Sequence, residues 1–249
     1  MEQYLAEFVG TLLLVFMGDS VCANVNLEKS NFQGSGPVFI VIGWGLAVAL
    51  PAMAFGGVSG AHYNPALTIA LATIGSFDWS MVPGYIIAQM LGGFCGAVLV
   101  WVVYKPHFDI TEDKDLIRGS FCTTPGIRSM GANIVGEAAA TFMLLFLIVA
   151  IGNAGSGMNG IATGTGMNYW FVAAIIMTCG YSLGGTTGFA MNPARDTAPR
   201  FAHSILPIPN KGDSDWGYAI VPIIGSIVGG ILGAVVANGL IGPAGACIL

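Results

Sequence analysis

Long apolar stretches are the feature that most constrains how this chain of 249 residues can fold. A helix needs about 20 mostly apolar residues to cross a bilayer, because it rises about 1.5 Å per residue. The first such stretch carries no cleavage site typical of a signal peptide, so we expect it to remain as a membrane span. Six stretches qualify, at about residues 4–25, 37–56, 81–104, 132–152, 167–184 and 216–240. The sequence therefore predicts an all-α membrane protein with six transmembrane helices.

The composition supports this prediction and disfavours several other classes. Only 8% of the residues are charged and the mean hydropathy is +0.76, whereas soluble domains carry about 25% charged residues. The basic residues are scattered singly, so no nucleic-acid partner is expected. We see no Ser/His pair, metal-ligand cluster or nucleotide loop, and we expect no enzyme activity, no cofactor and no metal. The cysteines form no CxxC pair and are interpreted as small core residues: Cys22, Cys95, Cys122, Cys179 and Cys247.

Two further apolar segments, at about 64–74 and 192–203, are too short to span a bilayer. Each begins with the tripeptide Asn-Pro-Ala. Asn is a good N-cap, and Pro suits the first helical position because its missing N–H would have no intrahelical partner there. Ten residues make a helix about 15 Å long, which is half of a hydrocarbon core about 30 Å thick. We therefore predict two re-entrant half-helices, with tripeptides Asn64, Pro65, Ala66 and Asn192, Pro193, Ala194.

The chain contains the same arrangement twice. The pattern Glu-xxx-Thr begins at Glu7 and at Glu137, and Gly-xxx-Asn-Pro-Ala begins at Gly60 and at Gly188. A third pattern, Gly-Gly-xx-Gly-Ala-Val, begins at Gly92 and recurs at Gly229. These patterns keep their order, so we predict one transmembrane channel domain over residues 1–249. It is divided into repeats 1–104 and 132–240 joined by a loop at 105–131.

Each repeat has three spans, and an odd number inverts the second repeat relative to the first. The capped ends of the half-helices should then meet near the membrane midplane, where unwound backbone is tolerated only if it lines a cavity. That geometry describes a pore. Two positive helix ends repel a cation or a proton but not a neutral solute. The side-chain amides of Asn64 and Asn192 can donate to a passing hydroxyl, while the loops at 57–63 and 184–191 can present carbonyl acceptors.

The segments SGAHYNPA at 59–66 and GFAMNPARD at 188–196 are specific when both occur. With them the chain resembles the major intrinsic protein family, on its aquaglyceroporin side, over nearly its whole length. The resemblance implies an aquaporin-like fold, a homotetramer with a pore in each subunit, and a position among the lipids of the plasma membrane with both termini cytoplasmic. The family narrows its pore with four residues, and the matching positions here are Trp44, Gly180, Phe189 and Arg195.

This combination resembles the glycerol-type filter, in which aromatic faces hold the carbon backbone of a polyol and Arg195 donates to its hydroxyls. Five further residues are expected to line the pore or to support its loops: His62, Tyr63, Glu7, Glu137 and Asp196. We expect Glu7 and Glu137 to accept hydrogen bonds from N–H groups of the loops. We expect Asp196 to have a partner within the protein. Tyr63 departs from the aliphatic residue common there and is expected to narrow or polarise the pore, and Thr197-Ala198 departs from the usual Phe-Gly.

The leading hypothesis is a passive channel for glycerol and other small uncharged solutes, including water, that excludes ions and protons. The same fold also suits a pore used mainly for water, hydrogen peroxide or undissociated small acids such as lactic acid. An ion-coupled secondary transporter also uses inverted repeats and broken helices, but it normally needs titratable or ion-coordinating groups that switch access. The spans offer only the pair Glu7 and Glu137 for that purpose.

The basic residues conflict with the orientation that the resemblance implies. With cytoplasmic termini, the inward loops 57–80 and 153–166 contain no Lys or Arg, and the outward segments hold all eight. The positive-inside rule favours the opposite orientation. We retain cytoplasmic termini because Arg195 and Arg200 belong to the re-entrant segment and other basic residues lie in the charge-mixed central loop.

Overall fold

The computed structural model describes residues 1–155 and 167–241, and this part of the chain is helical with no β-strand. Six long helices are the transmembrane helices, and two short ones are the re-entrant half-helices. Five of the long helices are apolar enough by composition alone to cross a membrane, and α7 is the sixth, with 21 residues. The long helices are α1 (Glu2–Asn26), α2 (Pro37–Ser59), α4 (Val82–Ile110), α6 (Met130–Gly155), α7 (Met167–Thr187) and α9 (Ser226–Ile241), which a π-helical turn (Val221–Gly225) precedes.

The half-helices are α3 (Pro65–Thr73) and α8 (Pro193–Ile205). Each begins at the predicted proline, and the side-chain oxygen of the preceding asparagine caps it. The Asn64 oxygen accepts a hydrogen bond from the Ala66 N–H at 2.9 Å, and the Asn192 oxygen accepts from the Ala194 N–H at 2.9 Å. The predicted helix starts are therefore confirmed, together with their physical cause.

The two halves pack in the same way and interlock. In the first half α1 packs on α4 and α2, and in the second half α6 packs on α9 and α7. Each half-helix crosses over, because α3 packs mainly against α9 and α8 mainly against α4. Helices α2 and α7 complete the contact between the halves. The result is an inverted repeat in which neither half-helix is held by its own half alone.

The recurring glycines lie where helix backbones touch. A Cβ at Gly96 would come 2.6 Å from the Leu12 carbonyl oxygen, and a Cβ at Gly92 or Gly229 would overlap a carbonyl oxygen of Phe8 or Ala138. Such contacts are closer than any side chain permits, so these glycines allow the helix backbones to approach closely.

Two predicted boundaries were wrong. Helix α4 continues to Ile110, since Phe108 is fully buried and stacks on Phe121 with ring centroids 5.3 Å apart. The predicted loop 105–131 is therefore shorter, and it contains a six-residue helix, α5 (Lys114–Gly119), capped by Asp113. The last span was predicted to begin at residue 216, but residues 216–219 form turns, in which the Tyr218 N–H donates to the Asp215 carbonyl at 3.0 Å. Val221 then begins the π-helical turn, and Pro222, which has no N–H, is its second residue.

Cysteine side chains fill space as expected where the structure describes them. Cys22, Cys122 and Cys179 are buried and Cys95 is partly buried, all of them as free thiols. Cys247 and most of the predicted inward loop 153–166 lie outside the described residues.

Candidate functional site

The two loops that lead into the half-helices have an unusual backbone. In the first loop Gly60, Ala61 and Tyr63 have φ angles of 80°, 52° and 49°. The equivalent residues of the second loop, which are Gly188, Phe189 and Met191, have φ angles of 84°, 43° and 49°. Only glycine adopts this left-handed region freely, and other residues remain there only when their surroundings hold them. Both loops are therefore strained in the same pattern, and each needs a support.

Glu7 of α1 supports the first loop. Its Oε1 accepts hydrogen bonds from the Ser59 hydroxyl at 2.7 Å and from the His62 N–H at 2.9 Å. Its Oε2 accepts from the Tyr63 N–H at 2.7 Å and from the Gln89 side-chain amide at 2.8 Å. The carboxylate is fully buried, so these four donors replace water around it. A carboxylate suits this position because it accepts several hydrogen bonds and donates none.

Glu137 of α6 has the corresponding place beside the second loop. Its Oε1 accepts a hydrogen bond from the Met191 N–H, and its side chain is buried. The Thr141 hydroxyl donates to the Glu137 carbonyl at 2.9 Å, just as the Thr11 hydroxyl donates to the Glu7 carbonyl at 2.7 Å. The repeated pattern Glu-xxx-Thr therefore corresponds to one local geometry used twice.

The capping asparagines also link the two loops. The Asn64 side-chain amide donates to the Met191 carbonyl at 2.8 Å, and the Asn192 side-chain amide donates to the Tyr63 carbonyl at 2.8 Å. Each side-chain oxygen is used as the helix cap, so both amides have a fixed orientation. One N–H of each amide is used by the opposite loop, and the second N–H stays available for another acceptor.

A narrow cavity lies beside this junction, with a volume of about 60 Å³. A cavity needs at least about 10–15 Å³ to hold one water molecule, so this cavity has space for more than one. Helices α1, α2, α3, α6 and α7 contribute apolar side chains to its wall, and the loops and α8 contribute polar ones. The apolar lining includes Leu14, Val48, Leu67, Leu144, Ile148, Val172 and Ile176, and the polar lining includes His62, Asn64, Asn192 and Arg195.

Three of the four predicted filter residues line this cavity, namely Trp44, Phe189 and Arg195. The Arg195 guanidinium carbon lies 3.9 Å from the centroid of the Trp44 ring, a cation–π contact. The Trp44 ring NH donates to the Cys22 sulfur at 3.3 Å, which fixes the ring in its plane.

Gly180 does not line the cavity itself but lies behind the Phe189 ring. A Cβ at Gly180 would come 3.2 Å from that ring, and a Cβ at Gly184 would come 2.5 Å from it. The ring therefore packs directly on the backbone of α7. Gly184 escaped the sequence prediction, although its spacing of four from Gly180 puts it on the same helix face.

Tyr63 differs from expectation, because its side chain turns away from the cavity. Its ring is 1% exposed and packs on Gly10, and its hydroxyl donates to the Pro51 carbonyl at 3.1 Å. The expectation that Tyr63 narrows or polarises the pore was therefore wrong for its side chain.

His62 both lines the cavity and contacts the loop support. Its Nδ1 shares a hydrogen bond with the Thr68 hydroxyl at 3.1 Å, and its ring packs against Phe77 and Tyr85. Gln89 bridges this region, because its amide reaches both the Glu7 carboxylate and, at 3.0 Å, the Thr68 hydroxyl. The sequence prediction missed Gln89, a buried amide within an apolar span.

Asp196 has its partners within the protein, as expected. Its carboxylate accepts from Arg200 at 2.9 and 3.0 Å, and from the Thr123 N–H and hydroxyl at 2.7 and 2.6 Å. Arg200 is fully buried and also donates to the carbonyls of Thr123 and Ser214. These hydrogen bonds join Thr123, in the central segment between the two repeats, to α8.

Asp19 of α1 is a further buried charge that the sequence prediction missed. Its Oδ1 lies 3.6 Å from an Arg195 nitrogen. An ionisable residue within a membrane span is itself a signal of function, and that signal was present in the sequence.

Six crossing helices, with two half-helices that meet tip to tip beside a narrow amphipathic cavity, define a multi-pass membrane channel. The sequence matches the family model described as Major intrinsic protein over residues 1–237, and the chain belongs to the major intrinsic protein family. This is a family of channels and facilitators rather than of enzymes.

Relatives and a solved structure cover nearly the whole chain. The probable glycerol uptake facilitator protein of Thermotoga maritima is 53% identical over 96% of this chain and 100% of its own. The glycerol uptake facilitator protein of Bacillus subtilis is 49% identical over 96% and 84%. The D/L-lactic acid transporter of Lactiplantibacillus plantarum is 38% identical over 97% and 98%. The structure of the aquaglyceroporin from Plasmodium falciparum superposes with a TM-score of 0.82, covers 96% of each chain, and is 29% identical.

Proposed function

We propose that this protein is a passive channel for glycerol and other small uncharged solutes, together with water, and that it excludes ions and protons. The observation that carries the proposal is the cavity itself, whose lining joins two aromatic side chains and one guanidinium to a mostly apolar wall with a few polar groups. A polyol has a carbon side and a hydroxyl side, and this wall offers contacts to both. The relatives from Thermotoga maritima and Bacillus subtilis support glycerol as the solute.

The filter in this proposal consists of Trp44, Phe189 and Arg195, with Gly180 leaving the space that Phe189 occupies. Arg195 is 7% exposed and its guanidinium lies over the Trp44 ring, so N–H groups at its edge can donate to hydroxyls in the cavity. A bulkier residue than Gly180 would displace the Phe189 ring towards the solute path. The filter therefore selects by width and by hydrogen-bond donors together.

Ion and proton exclusion in this proposal comes from the junction of the half-helices. Their positive N-terminal ends point towards the same part of the cavity, and a cation there is repelled. The fixed amides of Asn64 and Asn192 offer only donors, since their oxygens are engaged as caps. A neutral hydroxyl can accept from them and pass on.

Loop support is the role we propose for Glu7, Glu137 and the side chain of Tyr63, because each contacts the strained loops or the helices behind them. Asp196 has the same kind of role for α8. His62 contributes both to the cavity wall and to the support. We also propose that the repeats at 1–104 and 132–240 form one channel domain, because each half-helix packs against the opposite half and the asparagine amides donate across the junction.

Conduction of an undissociated small acid is a second candidate, because the transporter from Lactiplantibacillus plantarum is named for D- and L-lactic acid. Neutral lactic acid is a molecule about the size of glycerol, and it carries a hydroxyl group and a carboxyl group. Faster uptake of lactic acid at low pH than of glycerol would favour this candidate. Uphill accumulation driven by a proton gradient would instead indicate an ion-coupled transporter.

Stopped-flow light scattering on proteoliposomes tests the leading proposal. We expect fast glycerol flux in the unaltered protein, with the rate and the glycerol-to-water ratio changed by both Phe189→Ala and Trp44→Ala. Phe201→Ala is the matched control, since this phenylalanine is half-exposed and lies outside the cavity lining. Glycerol flux no faster than in empty liposomes would refute the proposal.

We further propose a homotetramer in the plasma membrane, with a pore in each subunit and both termini in the cytoplasm. The support is that the chain belongs to the family, because resemblance to this family implies such an assembly. Native mass spectrometry from detergent should give a mass four times that of the chain, and a monomer would contradict it.

A further inference from the structure

Arg195 lies in an unfavourable place for a cation. It belongs to the first turn of α8, where its own N–H donates to the Asn192 oxygen at 3.2 Å. The N-terminal end of a helix is positive, and a cation within the first turn is destabilised. The side chain is also 8% exposed, so little water is available to offset this repulsion. A nearby carboxylate is the usual remedy for a buried cation.

Asp196, the next residue, cannot serve as that carboxylate. Its two oxygens are engaged by Arg200 and by Thr123. Among the described residues, Asp19 is the acidic side chain within ion-pair distance of Arg195, with 3.6 Å between Oδ1 and the guanidinium. The Asp19 side chain is 1% exposed.

Neither oxygen of Asp19 has a hydrogen-bond partner within the described part of the chain, and neither has the Arg195 nitrogen nearest to it. A distance of 3.6 Å is too long for a hydrogen bond but suits an ion pair. A buried carboxylate without hydrogen bonds is unfavourable on its own. Asp19 is therefore not a loop support like Glu7, whose oxygens accept four hydrogen bonds. Among the described residues, the cation that pairs with it is the filter arginine, Arg195.

From this geometry we propose that Asp19 is a positioning residue for Arg195 and the counter-ion of the filter. Asp19 attracts the guanidinium towards α1, and the Trp44 ring holds its face. The pair carries no net charge, so the filter offers hydrogen-bond donors to a neutral solute without concentrating anions. This inference rests on the proposed function, since it assigns Arg195 to the filter of a channel for neutral solutes.

A double-mutant cycle tests the proposal with Asp19→Asn, Arg195→Met and both together. We expect Asp19→Asn alone to reduce glycerol flux several-fold and to raise nitrate uptake, measured with potassium nitrate and valinomycin. Nitrate is used because it remains an anion at neutral pH. In the Arg195→Met background, Asp19→Asn should change neither rate, because no cation remains to be held or neutralised.

Melting temperatures of the same four proteins provide a second readout that needs no flux. Removing one member of a buried pair leaves a lone charge, while removing both does not. Asp19→Asn should therefore lower the melting temperature of the unaltered protein and raise that of Arg195→Met. If Asp19→Asn alone fails to fold, recovery of a folded protein in the double variant supports the pair, and failure of both overturns it.

Asp109→Asn is the matched control, because it removes a carboxylate from an exposed ion pair with Lys105 and should change neither readout. The proposal is overturned if Asp19→Asn shifts the melting temperature in the same direction in both backgrounds. It is also overturned if Asp19→Asn leaves glycerol and nitrate rates as they were. Absence of glycerol flux in the unaltered protein would refute the proposed function alone, since the melting temperatures still judge the pair.

Discussion

Several single side chains in this protein accept hydrogen bonds from backbone N–H groups that have no partner within a helix. The two loops before the half-helices have positive φ at equivalent residues, and their N–H groups point at buried carboxylates instead of at carbonyls. Backbone groups at membrane depth must have partners, because the hydrocarbon core offers no water. Glu7 and Glu137 provide such partners for N–H groups of the two loops.

Glu7→Gln should destabilise the first loop. The amide keeps one acceptor oxygen but replaces the other with a donor, so two of the four donors now facing Glu7 lose their partner. Each buried unpaired donor costs about 1–3 kcal/mol. We expect a lower melting temperature in detergent and reduced glycerol flux. Glu2→Gln, at an exposed position of the same helix, is the control. Equal melting temperatures for the two variants would contradict the support role of Glu7.

Glycines lie at the contacts between the long helices, and the absence of a side chain there lets the helix backbones approach closely. Helices α1 and α4 touch at Gly92 and Gly96, and helices α6 and α9 touch at Gly229 and Gly233. In each pair the neighbouring atom is a backbone carbonyl oxygen, which cannot rotate away as a side chain can. Membrane helices gain stability from such close packing, because lipid provides no hydrophobic drive for their association.

Gly229→Ala should separate α9 from α6 and destabilise the protein. Its new Cβ would overlap the Ala138 carbonyl oxygen, and overpacking of this kind costs about 1–3 kcal/mol. Gly239→Ala, ten residues later on the same helix, has no heavy atom within 4 Å of the new Cβ and serves as the control. Helix propensity favours alanine there by up to about 1 kcal/mol. Thermal unfolding should therefore separate the two variants, and similar melting temperatures would disprove the close contact.

At the scale of the whole molecule, the two halves depend on each other at several places. The half-helices pack against the opposite half, the asparagine amides donate across the junction, and Arg200 fastens the central segment over α8. The halves are therefore not independent units, although the chain repeats one pattern. We propose cytoplasmic termini from membership of the family, whereas the count of basic residues favours the opposite orientation.

Epitope tags test this orientation on intact cells. A tag after Leu249 should be reached by antibody only after permeabilisation, if the termini are cytoplasmic. A second tag inserted at Gly34, in the exposed turn between α1 and α2, should be reached without permeabilisation. Accessibility of the first tag and protection of the second would reverse the proposed orientation and uphold the positive-inside rule.

Local sequence features determined the helices and much of the cavity wall. Apolar length predicted the spans, and Asn-Pro predicted the half-helix starts, because hydropathy and capping act between near neighbours in the chain. The family resemblance assigned Trp44, Phe189 and Arg195 to one filter, by their register against the two asparagines, and all three line the cavity. The ends of the spans were less certain, since tertiary contacts such as Phe108 on Phe121 extend a helix beyond its apolar stretch.

Tertiary structure alone decided the rest. Tyr63 turns towards the Pro51 carbonyl, the loops take left-handed backbone, and Asp19 meets Arg195. Each of these depends on groups that are far apart in the sequence or on strain that only the assembled surroundings maintain. The sequence by itself therefore determined which elements form and which end of each half-helix faces the pore. The packing of those elements decided which buried charges meet, because electrostatic partners are selected by distance in space.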